Sequence, residues 1–135
     1  MRYIIAAHGN YAIEAKKSCQ MITGQTEHIT AIAFTEEMGI EDVVSAYKSA
    51  IEDCEEENII IMVDIVGGTP CNAALILAQT EDIQVIAGLS LSMLIMASLG
   101  ENIDSIILES KNAVQLVQAP KWSDVELSEE GEEEE

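Results

Sequence analysis

A chain of 135 residues suits a single domain, and a hydrophobic content of 48% is enough for a substantial core. The formal charge of -19 is uneven: residues 119–135 hold eight acids and one lysine, a local -7 that leaves -12 on residues 1–118. Nucleic acid and anionic membrane are therefore poor partners, whereas a protein with a basic face would be steered toward the chain.

Apolar runs stop well short of the ~18 residues of a membrane span, and the start MRYIIAAHG is too short for a secretory signal. Cys19, Cys54 and Cys71 are odd in number and lack CxxC spacing, so neither a disulfide framework nor a zinc knuckle is indicated. A cytoplasmic protein with reduced thiols is expected.

RYIIAA (2–7) reads as a buried strand, because a short apolar run bounded by turn residues fits the core of a parallel sheet. After the turn His8-Gly9-Asn10, the apolar residues Ala12, Ala15, Cys19 and Ile22 predict a helix that ends at Gly24. HITAIAF (28–34) predicts a second strand, and Ile40, Val43, Val44, Tyr47, Ile51 and Cys54 form the apolar stripe of a second helix. NIIIMVDI (58–65) is the strongest strand in the chain. Beyond GGTP, residues 71–79 predict a short helix opening at Pro70, a residue favoured in a first helical turn.

IQVIAGL (83–89) predicts a fourth strand. SLSMLIMASL (90–99) is apolar nearly all round, as expected of a helix buried on more than one side, and a second subunit is one such cover. Gly100 closes it. Ile103, Ile106, Ile107, Ser110 and Val114 keep a helical period, so residues 102–112 predict a helix, and 113–118 (AVQLVQ) a last short strand. The run WSDVELSEEGEEEE that completes the chain cannot bury its like charges and predicts a disordered acidic tail over 119–135, beyond one domain over 1–118.

Strands and helices alternating over short connections imply an α/β fold, a doubly wound, mainly parallel sheet with helices on both faces. Such sheets bind ligands beyond the carboxyl ends of their strands, where the winding reverses. His8 follows the first strand and Asp64 ends the third, so the two become neighbours at that point. His8 alone reads as a turn cap or a gap filler in the core. With Asp64 beside it, the carboxylate orients one ring nitrogen and presents the other as a nucleophile. Gly67, Gly68 and Thr69 lead into a helix start, where unpaired N–H groups and the helix dipole favour a phosphate-like anion. A paired glycine is also an ordinary turn, and an Asp at a strand end an ordinary cap.

Several chemistries are excluded. GxxxxGK[ST] is absent, and GLSLS is not the GxSxG elbow of a hydrolase. His8 and His28 lack metal-ligand spacing, His28 reading instead as a partly exposed residue at the start of the second strand; no metal or cofactor is expected. A receiver domain would need acids after the first strand. A histidine phosphatase would need several arginines, where this chain has only Arg2. What remains is a histidine that can carry a phosphoryl group without a nucleotide or metal of its own; transfer from another phosphohistidine would need mainly positioning and dispersed hydrogen-bond donors.

Through IIAAHGNYA, IIIMVDIVGGTPCNAA and AGLSLSMLIMAS, residues 1–118 resemble the IIA component of the mannose-type (mannose, fructose, sorbose) family of the bacterial phosphotransferase system. The resemblance implies a homodimer that exchanges a C-terminal strand. It also implies a phosphorylated histidine at His8, an orienting aspartate at Asp64, and a GGTP loop around the phosphoryl group. Its implied donor is the histidine phosphocarrier protein and its implied acceptor a IIB component, from which phosphate passes to sugar at the membrane components. Ser90 and Ser92 depart from the Asn and Pro that members often carry after the fourth strand, which bears on the dimer or partner surface. Two other readings stay open: the phosphotransferase subunit of a dihydroxyacetone kinase, and a non-catalytic small-molecule binding module in which His8 is structural.

Overall fold

The structure is a computed structural model that describes residues 1–55 and 58–121. Four strands, β1 (Arg2–His8), β2 (Ile29–Phe34), β3 (Ile59–Val63) and β4 (Ile83–Ala87), form one parallel sheet in the order β2-β1-β3-β4. Between and after them run α1 (Tyr11–Thr23), α2 (Ile40–Glu52), α3 (Thr69–Leu77), α4 (Leu91–Ser98) and α5 (Ile103–Asn112). The α/β class and the mainly parallel, doubly wound sheet are as expected.

The two central strands show why their sequences are apolar at consecutive positions. Side chains alternate between faces, so Tyr3, Ile5, Ala7, Ile60 and Met62 enter the core shared with α1, α4 and α5. Ile4, Ala6, Ile59, Ile61 and Val63 enter the core shared with α2 and α3. With helices on both faces no strand position is left for a polar residue. Ile4, Ile5 and Ile61 are fully buried, and truncating any of them to Ala costs about 2–5 kcal/mol. β2 and β4, each with one neighbour, are only half-buried.

Most element ends fall where local chemistry places them. Gly24 takes the left-handed conformation and its N–H bonds the Gln20 carbonyl, closing α1. Ser90 caps α4 by accepting from the Met93 N–H, and Asn102 caps α5 by accepting from that of Ser105. Two stripe residues differ from expectation. Ile22 is exposed, standing about 60° round the helix from Cys19. Cys54 lies past the end of α2, where its thiol reaches the Ile51 carbonyl.

The expected strand at 113–118 does not form. α5 ends at Asn112, and Val114, Leu116 and Val117 stand more than four-fifths exposed outside any ladder. A strand exists only through its pairing, and among the described residues this segment pairs with none. α4 buries Met93, Leu94 and Ala97 but leaves Leu91 and Leu99 exposed. The acidic run from Trp122 onward lies outside the described residues.

Candidate active site

The winding of the chain reverses between β1 and β3. From β1 the path crosses to β2 on one side, then returns over the sheet to β3 on the other. The parallel register sets Ala6 against Val63, so the residues leaving the two strands emerge side by side. The two-residue period places His8 on the face of Ile4 and Ala6, the face covered by α2 and α3. Asp64, directly after β3, meets it there.

The contact is double. Asp64 Oδ2 accepts from the His8 backbone N–H at 3.0 Å and lies 2.7 Å from the ring Nδ1, while Oδ1 accepts from the Ile65 N–H at 2.9 Å. Burial pushes the Asp64 carboxyl up, but hydrogen bonds from the His8 amide, the His8 ring and the Ile65 amide, together with the charge of His8, outweigh it and hold the group below its usual range. Asp64 is therefore an ionised, acceptor-only partner, which assigns the proton to Nδ1 and leaves the lone pair on Nε2. The His8 side chain is 49% exposed, against 16% for Asp64, so the carboxylate is sheltered and the ring faces outward.

Two further groups hold the ring. Phe34, the partner of His8 in the β1–β2 register, meets it edge-on, with ring centroids 5.3 Å apart and planes at 90°. Gly68 lies on the other side, where a Cβ would come within 2.9 Å of His8 Cε1 and 3.3 Å of Ile65 Cγ1. Gly67, with φ +90°, sits in a conformation that favours glycine, and its carbonyl accepts from the Asn72 amide at 3.3 Å.

α3 starts at Thr69, with Gly68 as its extended cap and Pro70 in its first turn. Gly67, Gly68 and Thr69 thus surround a helix N-terminus that adjoins the His8 ring. α1 also begins three residues after His8, so two helix N-termini converge at this end of the sheet. The ring opens into a groove of about 550 Å³ lined by His8, Gly9, Asn10, Phe34, Thr35, Glu36 and Glu37, with no lysine or arginine among them. His28 lies before β2, at the opposite ends of the strands, against the Tyr3 ring.

His8, Asp64, Gly67, Gly68 and Thr69, each legible in the sequence, lie together at this end of the sheet. Phe34 joins them only through the β1–β2 register, and the helix expected after the turn HGN brings a second N-terminus to the same place.

Fold and site together define a small α/β domain with a carboxylate-held imidazole at the switch point of its sheet, and sequence comparison narrows that class. The profile of the EIIA-man family, described as "PTS system fructose IIA component", matches residues 2–116, and the chain belongs to that family. The PTS system fructose-specific EIIA component of Bacillus subtilis (strain 168) is 36% identical over 94 residues, covering 68% of this chain and 64% of that protein. The PTS system mannose-specific EIIAB component of Escherichia coli (strain K12) is 30% identical over 94 residues, 68% of this chain and 29% of that one. Among solved structures, the mannose/sorbose-specific IIA subunit from Enterococcus faecalis superposes with a TM-score of 0.81 at 28% identity, over 89% of this chain and 96% of that one. The matched region thus spans just under two thirds of the Bacillus protein and less than a third of the Escherichia protein.

Proposed function

We propose that this chain is a phosphoryl carrier of a sugar-transporting phosphotransferase system, with the phosphoryl group carried on His8. The observation that supports it most directly is the 2.7 Å contact between His8 Nδ1 and Asp64, which leaves Nε2 as the exposed nucleophile. The donor is the phosphorylated histidine phosphocarrier protein. Nε2 attacks phosphorus as the donor's P–N bond breaks. The phosphoryl group moves to His8, the electron pair of the old bond returns to the donor imidazole, and no proton needs to move. Nδ1–H stays on Asp64, whose charge stabilises the ring as it gains positive character.

Little else is needed from the site, because the P–N bond is already activated and the transition state is loose. The start of α3 beside Gly67, Gly68 and Thr69 supplies donors to the phosphoryl oxygens. Without a lysine or arginine in the groove the group is not trapped, which suits a carrier that passes it to a IIB component and so, through the membrane components, to sugar. No helix of the described residues is long and apolar enough to cross a membrane, in keeping with a cytoplasmic role. In this reading residues 1–118 are the IIA domain, working as a homodimer whose exchanged strand is 113–118. A dihydroxyacetone kinase subunit shares the carrier chemistry and differs in its acceptor.

The deciding experiment is incubation with phosphoenolpyruvate, the general phosphotransferase enzyme and the histidine phosphocarrier protein. The expected result is one acid-labile phosphate per chain, lost in His8→Ala and retained in His28→Ala. No phosphate on the parent chain removes the carrier reading and leaves the binding module. Transfer onward to a IIB component rather than to a kinase subunit separates the two carriers.

A further inference from the structure

α2 and α3 pack against each other on the face of the sheet that His8 occupies. At the centre of the α2 stripe stands Tyr47, fully buried. A phenylalanine would fill the same volume, and a buried hydroxyl is costly unless it finds a partner. That of Tyr47 donates to the Pro70 carbonyl at 2.8 Å, from 23 residues away. Pro70 lies in the first turn of α3, two residues beyond Gly68, whose missing Cβ leaves room for the His8 ring.

The segment between Asp64 and α3 has few fastenings of its own. Ile65 and Val66 point into solvent, Gly67 and Gly68 carry no side chain, and Pro70 has no N–H. At one end the segment is held by Asp64, through the His8 and Ile65 amides. The other end is held by the Asn72 side chain on the Gly67 carbonyl and its backbone N–H on the Gly68 carbonyl, by the buried Pro70 ring, and by Tyr47 on the Pro70 carbonyl. Of the side-chain hydrogen bonds on this segment, that of Tyr47 is the buried one. Burial above all, and then the Cys71 thiol and the Asp64 carboxylate, push the Tyr47 hydroxyl well above its usual range, so it is a proton donor at every working pH and shares the field of the site.

We infer that Tyr47 is a positioning residue for phosphoryl transfer. By fixing the Pro70 carbonyl it sets where α3 begins, which keeps Gly68 against the His8 ring and the helix N-terminus aimed at the phosphoryl group. Transfer in this site depends on placement rather than on charged side chains, so a small displacement of that turn lowers the rate without changing how the donor docks. The inference rests on the carrier reading of His8.

The test compares the full-length parent with Tyr47→Phe and Val43→Ala, the latter a buried residue of the same helix that loses volume but no side-chain hydrogen bond. Rapid quench across a range of phosphocarrier concentrations should show Tyr47→Phe slowed about 2–10-fold at saturation, as expected for one lost hydrogen bond, with an unchanged half-saturating concentration. In the unphosphorylated chain the His8 Cε1–H proton resonance should move. Val43→Ala should melt at least as early as Tyr47→Phe and leave both readouts at parent values. A parent rate and an unmoved resonance in Tyr47→Phe overturn the inference, and so does equal slowing in Val43→Ala, which would reduce the effect to general loosening of α2 against α3. If the parent itself takes no phosphate, the carrier reading fails separately, and the resonance alone decides whether Tyr47 positions the ring.

Discussion

Three residues around the His8 ring do different work, and substitution separates them. Asp64→Asn keeps the shape but removes the charge that favours a proton on Nδ1, so phosphorylation measured by rapid quench should slow by about 10–10²-fold while the fold persists. Gly68 has an extended backbone, φ -81° and ψ 168°, that alanine adopts freely, so the cost of Gly68→Ala is contact alone. Its Cβ would press on His8 Cε1 at 2.9 Å, so the half-exposed ring must shift, which predicts little loss of stability but at least a tenfold slower reaction. Gly67→Ala meets open space but a φ of +90°, so thermal melting should register backbone strain while the His8 ring stays in place. Asp64 also contributes to the pH dependence of stability. Its folded-state pKa is depressed, so its contribution is present above the unfolded value of ~3.9 and is lost as pH falls through the lower folded value. Acid titration of Asp64→Asn should show a shallower fall of stability in that window than the parent, and equal slopes would mean that the pairing contributes nothing to folding.

Among the elements, the segment after α5 carries the largest unsatisfied apolar surface. Val114, Leu116 and Val117 are each more than four-fifths exposed, and β4 has only β3 as a neighbour, so one of its edges lacks a strand. A second copy that lends its 113–118 segment would cover both, which is how exposed sheet edges are commonly managed. Leu116→Asp should therefore give the monomer mass by light scattering at micromolar concentration, where the parent gives the dimer mass. A parent that scatters as a monomer under the same conditions ends the exchange proposal. α4 meets the expectation in part: Met93, Leu94 and Ala97 are buried where it packs on α1 and α5, while Leu91 and its cap residue Leu99 are exposed.

For the whole molecule, charge governs encounter rather than fold. A net -19, with Glu36 and Glu37 beside the His8 groove, steers a basic partner toward the site across a screening length of ~10 Å at 0.1 M salt. Phosphorylation at low donor concentration should slow at least about threefold between roughly 0.05 and 0.5 M salt, with the saturated rate little changed. A salt-independent rate would assign the acidic surface to solubility alone. The sequence by itself determined what is local. Unbroken apolar runs marked β1 and β3 as strands covered on both faces, Gly24 and Pro70 marked helix ends, and the order of elements put His8 and Asp64 at the carboxyl ends of their strands. The rest came from tertiary packing: the β1–β2 register that brings Phe34 to the His8 ring, the approach of Gly68 that a Cβ would crowd, the partner of the Tyr47 hydroxyl, and the failure of residues 113–118 to pair with any described strand of their own chain. Local pattern reports which face a side chain takes, because that depends on the period of its own element. Which side chain it meets depends on sheet order, register and helix packing, and these are settled only when distant segments bury their surfaces against one another.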